Sequence, residues 1–311
     1  MKILLILPCY NEEEVLPDST KKIFAFFDQL ISENYIEQNS KICFVDDGSK
    51  DMTWKIISNL NHKYVYGLKL SNNFGHQNAL LAGLDHFKNQ FDVYITLDVD
   101  LQDDITVIKQ MISEYKKGNN IVYGVRKDRS TDSFFKRNTA KLFYNFMTWL
   151  GVNTIPNHAD FRLIDNKALL QFLQYTETHL FLRAIFPSIG LKHSKVYYNR
   201  LKRQYGETKY PLKKMLSFAW DGITSFSVKP LKLVLFTGII TLFISIILFI
   251  WASIQLLRGE VVTGWFSTIT LIIFFGGLQT FSLGIIGEYI GKIFIQTKNR
   301  PRYLIDQIIN N

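Results

Sequence analysis

The segment DVYITLDVDLQDD, residues 92–104, places a short apolar run directly before a cluster of acidic side chains. Residues 93–97 are apolar and partly β-branched, which is typical of a buried strand. In an extended chain, residues two apart face the same way, so Asp98 and Asp100 can point at one ion. The segment therefore predicts a strand whose carboxyl end holds a cation, with a solvated acidic turn as the alternative.

The alternation of strand and helix extends over the first 230 residues. Short apolar runs at 3–7, 41–45, 64–70, 93–97 and 121–125 are separated by segments with helical apolar spacing. This order predicts an α/β fold, a mostly parallel sheet covered by helices that binds its ligands beyond the carboxyl ends of the strands. The sequence contains neither a G-x-G-x-x-G dinucleotide motif nor a Walker A loop.

Acidic residues follow two further predicted strands. The first strand is followed by Pro8-Cys9-Tyr10-Asn11-Glu12, and the second by Asp46-Asp47-Gly48-Ser49. Carboxylates at neighbouring strand ends repel one another unless a cation or hydrogen-bond donors compensate them. Mg²⁺ takes one or two carboxylates together with phosphate oxygens. The three acidic strand ends therefore predict a metal-assisted site for a phosphorylated ligand.

Composition excludes several classes of protein. The 311 residues carry a net charge of +9 and are 47% hydrophobic, which excludes a disordered chain. Cys9 and Cys43 match neither a disulfide framework nor a zinc spacing, and we expect buried thiols. Basic residues concentrate in the windows 116–141 and 200–232, each with eight Lys or Arg against two acidic residues. Such windows attract phosphates, anionic lipid or nucleic acid, and solvated basic faces are the alternative.

Two long apolar segments lie near the end of the chain. Residues 233–257 and 261–287 contain no charge, and each is long enough to span a bilayer as a helix. Lysine and arginine flank the pair on both sides, which predicts a hairpin with both flanks in the cytoplasm. A buried hairpin of a soluble core is the alternative. Residues 134–150 and 211–226 mix basic and large apolar side chains and predict interfacial helices, with core-facing helices as the alternative.

Four motifs in the first 103 residues resemble those of the GT-A domain of glycosyltransferase family 2. They are Pro8-x-Tyr10-Asn11-Glu12, Asp46-Asp47-Gly48-Ser49-x-Asp51, Asn73-Phe74-Gly75-x-Gln77-x-Ala79 and Asp98-x-Asp100-Leu101-Gln102-Asp103. Asp160-Phe161-Arg162, the segment 200–210, the hairpin, Gly287-Glu288-Tyr289-Ile290-Gly291-Lys292 and Arg300-Pro301-Arg302-Tyr303 narrow the resemblance to the polyprenyl-phosphate glycosyltransferases. This group contains bactoprenol glucosyltransferases and dolichol-phosphate mannose synthase. Asp104 departs from the family's usual proline, and the Gln-x-x-Arg-Trp motif of processive synthases is absent.

The resemblance implies a domain order. We expect a Rossmann-like GT-A domain at 1–210, a juxtamembrane interfacial helix at 211–230, two transmembrane helices within 231–290 (about 233–257 and 263–287), and a cytoplasmic tail at 291–311. It also implies a multi-pass protein of the inner (plasma) membrane with a cytoplasmic catalytic domain, assembled as a homotetramer.

The reaction implied by the resemblance is the transfer of one hexose from a UDP-sugar to undecaprenyl phosphate. It would proceed with inversion at the cytoplasmic membrane face, depend on Mg²⁺ or Mn²⁺, and serve cell-envelope glycan modification. Glucose and N-acetylglucosamine are equally open as the sugar. Transfer to another lipid acceptor is one alternative. A non-catalytic, membrane-anchored protein that binds anionic ligands is the other. We expect no nucleic-acid partner.

The family pattern also implies a role for each site residue. Asp98, Asp100 and Gln102 would hold the metal. The nucleotide-sugar pocket would comprise Pro8, Tyr10, Asn11, Glu12, Asp46, Asp47, Gly48, Asn73 and Gln77. An acceptor phosphate is largely dianionic at neutral pH, so it needs cations more than a base; the candidates are Arg126, Arg137, Arg203 and Lys209. Asp160 matches the catalytic position. We expect it to orient a sugar hydroxyl or a phosphate-binding arginine, with a buried salt bridge to Arg162 as the alternative.

Overall fold

The computed structural model describes residues 1–127, 155–178, 180–200, 223–225, 227–258 and 264–310. These residues form two compact units. The first contains the described residues between 1 and 200 together with 300–310, and the second contains those between 223 and 299.

The first unit is built on an eight-stranded sheet in the order β7-β5-β6-β4-β1-β2-β3-β8. The strands β4, β1, β2 and β3 run parallel, as do β5 and β7, whereas β6 and β8 are antiparallel to their neighbours. The expected mostly parallel sheet is therefore confirmed. The strands are β1 (Ile3–Cys9), β2 (Lys41–Asp46), β3 (Val65–Leu70), β4 (Val93–Thr96), β5 (Ile121–Arg126), β6 (His158–Asp165), β7 (His193–Tyr198) and β8 (Ile305–Asn310).

Helices cover the sheet. The hydrophobic core lies around β1, whose residues are all buried. In α1 the buried Ile23, Phe27 and Leu30 recur at helical spacing and face the sheet. A Cβ at Gly83 in α3 would lie 2.8 Å from the Ile6 Cγ2, so glycine allows α3 to lie close against β1. The helices are α1 (Leu16–Ser32), α2 (Thr53–Ser58), α3 (His76–His86), α4 (Ile108–Lys116), α5 (Asn166–Phe172) and α6 (Leu182–Ser188), with a 3₁₀ turn at Ile105–Val107.

The last residues of the chain, expected as part of a separate tail at 291–311, belong to the sheet of the first unit. Residues 305–310 form β8, which pairs with β3 and belongs to the first unit. The Trp54 indole donates to the Gln307 side chain at 2.8 Å, and the Tyr303 hydroxyl donates to Asp85 at 2.7 Å. The physical reason for the difference is that β8 supplies backbone partners to β3, which would otherwise be an open sheet edge.

The second unit contains two long helices, α7 (Lys229–Leu257) and α8 (Trp265–Thr297). Both are long and apolar enough to cross a membrane, with mean hydropathies of 2.9 and 1.7, and almost none of their most apolar windows is buried. Exposed apolar side chains of this extent are unlike the hairpin of a soluble core.

Helix α8 ends later than the expected boundary near 290. The predicted interfacial helices at 134–150 and 211–226 lie outside the described residues, apart from 223–225.

A polar cluster fixes the segment before α7 against α8. The Lys292 ammonium donates to the hydroxyls of Thr224 and Ser225, the latter at 3.0 Å. The Tyr289 hydroxyl donates to the backbone carbonyl of Ser227. The motif at 287–292 thus has a structural role in holding the hairpin together.

Candidate active site

The carboxyl ends of β1, β2 and β4 meet at one edge of the sheet. Cys9 pairs with Asp46 across β1 and β2, and the Asp47 N–H donates to the Cys9 carbonyl at 2.9 Å. On the other side of β1, the Leu97 N–H donates to the Ile6 carbonyl at 3.1 Å, so that Asp98 follows at the same edge. The three acidic segments singled out from the sequence are therefore neighbours.

The Asp46-Asp47-Gly48 turn holds the loop that precedes α3. The Asp47 carboxylate accepts from the N–H groups of Phe74 and Gly75, at 2.7 and 2.9 Å. Asp46 accepts from the Ser49 N–H at 3.2 Å through Oδ1, whereas its buried Oδ2 has no hydrogen-bond partner among the described residues. Burial raises the pKa of both carboxyls. Asp47, a predicted residue of the nucleotide pocket, accepts through both carboxylate oxygens from backbone N–H groups of this loop.

Gly48 is required by the same turn. Its φ is +66°, in the left-handed region that favours glycine, and a Cβ would lie 2.4 Å from the Asn72 carbonyl carbon. Only a residue without a side chain allows β2 to end against the loop at this distance. Asn73 is exposed.

The segment after β1 fastens the neighbouring loop. The Asn11 N–H donates to the Ser49 hydroxyl, and the Asn11 side chain accepts from the Lys50 N–H, both at 3.0 Å. The Glu12 N–H donates to the Thr53 hydroxyl at 2.8 Å. Pro8 lies within β1 and is buried, whereas the Tyr10 ring is exposed. Of these pocket candidates, Tyr10 therefore offers a face to a ligand, and Pro8 packs in the core.

The candidate metal motif forms a tight turn after β4. The Asp98 side chain is partly enclosed by neighbouring residues, and 39% of its surface is exposed. Gln102 donates to Asp100 through both its backbone N–H, at 3.2 Å, and its side-chain amide. Leu101 adopts φ 49°, a conformation that bulky residues rarely take. Within the described ranges, no three His, Cys, Asp or Glu side chains are grouped as a metal site.

The buried carboxylate of Asp160 lies at the centre of a group of cations. Its carboxylate accepts from Arg162 at 2.6 Å and from Arg183 at 3.0 Å, and the His76 Nε2 lies 3.5 Å from its Oδ2. Burial alone would raise the pKa of Asp160, but Arg183, His76 and Arg162 hold it well below its usual range. The carboxylate therefore stays charged at neutral pH. The salt bridge to Arg162, expected as the structural alternative, is present.

His76 also approaches the metal motif, since its Nε2 lies 3.6 Å from the Asp98 Oδ1. Burial raises the pKa of Asp98, and Asp160, Asp103 and Asp100 raise it further against the opposing effect of His76. Burial alone would lower the pKa of His76, but Asp160 and Asp98 raise it overall. Negative charge therefore accumulates around Asp98 and draws positive groups toward it.

Arg126, a predicted acceptor-phosphate residue, forms a bidentate ion pair. Its Nε and Nη2 donate to the two carboxylate oxygens of Asp103 at 3.0 and 3.1 Å, and Asp103 is buried. This ion pair links the end of β5 to the candidate metal motif. The other predicted phosphate ligands, Arg137, Arg203 and Lys209, lie outside the described residues.

Sequence reasoning missed two residues of this group, His76 and Arg183. His76 occupies an unassigned position inside the Asn73–Ala79 motif, where only its place on the first turn of a helix marks it. Arg183 is the only charged residue of the apolar segment 180–187, a signal that could have found it. Gln77, assigned to the nucleotide pocket, instead accepts from the Leu182 N–H at 3.2 Å and lies 3.5 Å from Asp160.

His158 precedes Asp160 by two residues on β6 and is 4% exposed. Neither of its ring nitrogens has a hydrogen-bond partner in the part of the chain that the structure describes, and its ring lies edge-on to Tyr123 at 4.9 Å. Burial, with Arg162 nearby, lowers the pKa of His158 well below its usual value. The ring is therefore neutral in the folded protein.

Acid is expected to destabilise the protein through His158. Below about pH 6.5 the unfolded chain binds a proton that the folded chain rejects, so stability present above that pH is lost as the pH falls. The loss is at most about 1.4 kcal/mol per pH unit for this one group. The check is the melting temperature of the full-length protein in detergent from about pH 8 to about pH 5. The variant His158→Phe, which keeps a ring against Tyr123, should show a shallower decline; equal slopes would contradict the assignment.

Comparison with known proteins gives matches over both units. The family model described as glycosyl transferase family 2 matches residues 4–187, and that of the GtrB C-terminal hairpin matches residues 229–293. The uncharacterized glycosyltransferase YkoT of Bacillus subtilis (strain 168) is 51% identical over 98% of this chain and 91% of its own. The prophage bactoprenol glucosyl transferase homolog of Escherichia coli (strain K12) is 37% identical over 99% of each chain.

Solved structures are more distant. The crystal structure of glucosyl-3-phosphoglycerate synthase from Mycobacterium tuberculosis in complex with phosphoglyceric acid has a TM-score of 0.45 and 14% identity. The match covers 72% of this chain and 78% of that chain.

Proposed function

The chain belongs to glycosyl transferase family 2, and from this premise we propose that it transfers one hexose from a UDP-sugar to undecaprenyl phosphate. The match of residues 229–293 to the GtrB C-terminal hairpin carries the proposal, because a transferase with a water-soluble acceptor needs no membrane hairpin. The two apolar helices indicate membrane association. The name of the E. coli relative favours a polyprenyl phosphate acceptor and, of the two open sugars, glucose.

The loops after β1 and β2 supply the donor pocket in this proposal. Tyr10 offers an exposed aromatic face for the base, and the unpartnered Oδ2 of Asp46 is an acceptor for a uracil N–H. Asn11, Glu12, Asp47 and Gly48 support this pocket through the backbone contacts described above. They hold the two loops together and so set where the nucleotide lies.

The residues of the metal motif fit a hard divalent cation. Asp98 and Asp100 are carboxylates, Gln102 adds an amide oxygen, and Mg²⁺ or Mn²⁺ bound with a diphosphate needs few protein ligands. Burial raises the pKa of Asp98, and the neighbouring Asp160, Asp103 and Asp100 raise it further; a cation at this position would compensate that negative charge. When bound, the ion would neutralise charge on the leaving diphosphate.

The acceptor side needs cations and no strong base. A phosphate monoester is already a nucleophile at neutral pH, and Asp160, whose pKa is well below its usual range, is a poor proton acceptor. Asp160 instead holds Arg183, which keeps 38% of its side chain exposed and can meet a phosphate. Attack on the face opposite the leaving diphosphate inverts the anomeric centre. The roles of Arg126, Arg137, Arg203 and Lys209, the cytoplasmic orientation and the homotetramer stay predictions.

The test is a transfer assay with the full-length protein in detergent. Radiolabelled UDP-glucose and UDP-N-acetylglucosamine are each incubated with undecaprenyl phosphate, with or without EDTA. We expect lipid-extractable label from UDP-glucose that disappears with EDTA and returns with Mg²⁺ or Mn²⁺. Label that appears only with diacylglycerol would assign another acceptor. Absence of label with every donor, together with binding to anionic vesicles, would favour the non-catalytic alternative.

A further inference from the structure

His76 lies between two carboxylates with different assigned roles. Its Nε2 is 3.6 Å from the Oδ1 of Asp98, which belongs to the candidate metal motif. The same nitrogen is 3.5 Å from the Oδ2 of Asp160, the carboxylate that binds Arg162 and Arg183. Both distances exceed the 2.7–3.2 Å of a well-formed N–H···O hydrogen bond. One nitrogen is therefore shared between the two carboxylates, without a full hydrogen bond to either.

The position of His76 is set by the surrounding fold. It is the first residue of α3 and follows Gly75, which adopts φ +89° and donates its N–H to Asp47. The close packing of α3 on β1 at Gly83 fixes the helix against the sheet. The side chain itself keeps 41% of its surface exposed.

The two partners differ in what else holds them. Asp160 is anchored by Arg162, which is fully buried, and by Arg183. Asp98 receives a cationic contact only from His76 among the ion pairs of the described residues. A divalent ion held by Asp98 would therefore compete with His76 for this carboxylate, and Asp160 would remain as the partner of His76.

We propose that His76 is a positioning residue that couples occupation of the metal site to the orientation of Asp160. This inference rests on the proposed function. Before the donor complex binds, His76 restrains Asp98. When Asp98 turns to the ion, His76 moves fully to Asp160 and completes the donors around that carboxylate. Arg183, which already pairs with Asp160, is thereby held more firmly for the acceptor phosphate once the donor complex is in place.

The proposal predicts opposite effects on metal binding and turnover. In His76→Leu the competitor for Asp98 is gone, so the dissociation constant for Mn²⁺ in the presence of UDP should fall about threefold to tenfold. The kcat of transfer should fall about tenfold or more, because Asp160 loses a positioning contact, while KM for the UDP-sugar stays within about twofold. His76→Gln, which keeps an N–H donor, should recover part of kcat.

The measurements are the electron paramagnetic resonance signal of free Mn²⁺ with UDP, the kinetics of transfer, and the melting temperature. His86→Leu, at the other end of α3, is the matched control. It removes the contact between the His86 ring and Phe87, and it should leave Mn²⁺ binding, transfer and the melting temperature nearly unchanged. Weaker Mn²⁺ binding in His76→Leu, unchanged kcat, or no recovery in His76→Gln would overturn the proposal. A protein that transfers no sugar but binds Mn²⁺ more tightly as His76→Leu would refute the proposed function and leave the His76–Asp98 link intact.

Discussion

Replacing Asp160 by asparagine is expected to cost both stability and activity. Arg162 is 0% exposed, and its Nη2 donates to Asp160 at 2.6 Å, so the variant leaves a buried guanidinium without a charged partner. Breaking a buried ion pair on one side typically costs about 3–5 kcal/mol. Sugar transfer should fall about a hundredfold or more, because Arg183 is no longer held. The measurements are the melting temperature in detergent and the kcat of transfer.

A second variant separates the structural from the functional contribution of Asp160. In Asp160→Asn with Arg162→Met, an apolar side chain of similar size replaces the guanidinium that stacks on Phe186 at 4.8 Å. Replacing both members of a buried pair is often neutral for stability, so the melting temperature should recover while transfer stays low. Recovery of transfer along with stability would show that Asp160 serves only the fold. Asp165→Asn, on the same strand, is the control: its amide oxygen can still cap α5, so stability and transfer should both stay nearly unchanged.

The motifs predict the family, the enzyme class and the mostly parallel GT-A type of sheet, and all three are confirmed. The sequence predicts that the acidic segments lie together, because the carboxyl ends of parallel strands lie at the same edge of a sheet. Strand β6 is not predicted from the sequence, since His158, Asp160 and Arg162 are buried polar residues that remove the apolar alternation of a strand. Strand β8 is also missed, because its partner β3 lies more than two hundred residues earlier in the chain.

Within the site, the motifs locate segments better than they assign side chains. Asp47 and Gln77 lie in the right loops, yet both hold backbone groups of neighbouring segments. Whether a motif side chain faces a ligand or its own fold depends on tertiary contacts between the loop at 72–75, α3 and α6. Spacing along one segment carries no information about such contacts, and for the same reason the pairing of Arg126 with Asp103 could not be predicted.

The surrounding charges differ between Asp98, in the candidate metal motif, and Asp160, which lies among cations. Burial would raise the pKa of both carboxyls. At Asp160 the neighbouring Arg183, His76 and Arg162 lower the pKa overall, whereas at Asp98 the neighbouring carboxylates add to the effect of burial and the pKa is raised. Carboxylates that lie close together but differ in this way take different roles. In the proposed function, the protein holds Asp160 as a fixed charge, and Asp98 binds the cation that arrives with the substrate.

Replacing Asp98 by asparagine is therefore expected to abolish transfer without destabilising the protein. Loss of a metal carboxylate removes several kcal/mol of charge stabilisation, which corresponds to about a thousandfold in kcat. The melting temperature without metal should stay at or above that of the unmodified protein, because one of several mutually repelling carboxylates is neutralised. The measurements are transfer kinetics and melting curves recorded with and without Mn²⁺.

Asp104→Asn provides the matched control for Asp98→Asn. Asp104 lies in the same loop but is turned to the 3₁₀ turn, where it accepts from the Thr106 N–H at 3.0 Å. The amide oxygen of asparagine can still accept from Thr106, so Asp104→Asn should leave both stability and transfer nearly unchanged. The two variants should therefore differ in transfer, while neither loses stability. If Asp98→Asn kept transfer within tenfold of the unmodified protein, or if Asp104→Asn lost transfer as well, the ion would be held by other residues and the assignment of Asp98 would be wrong.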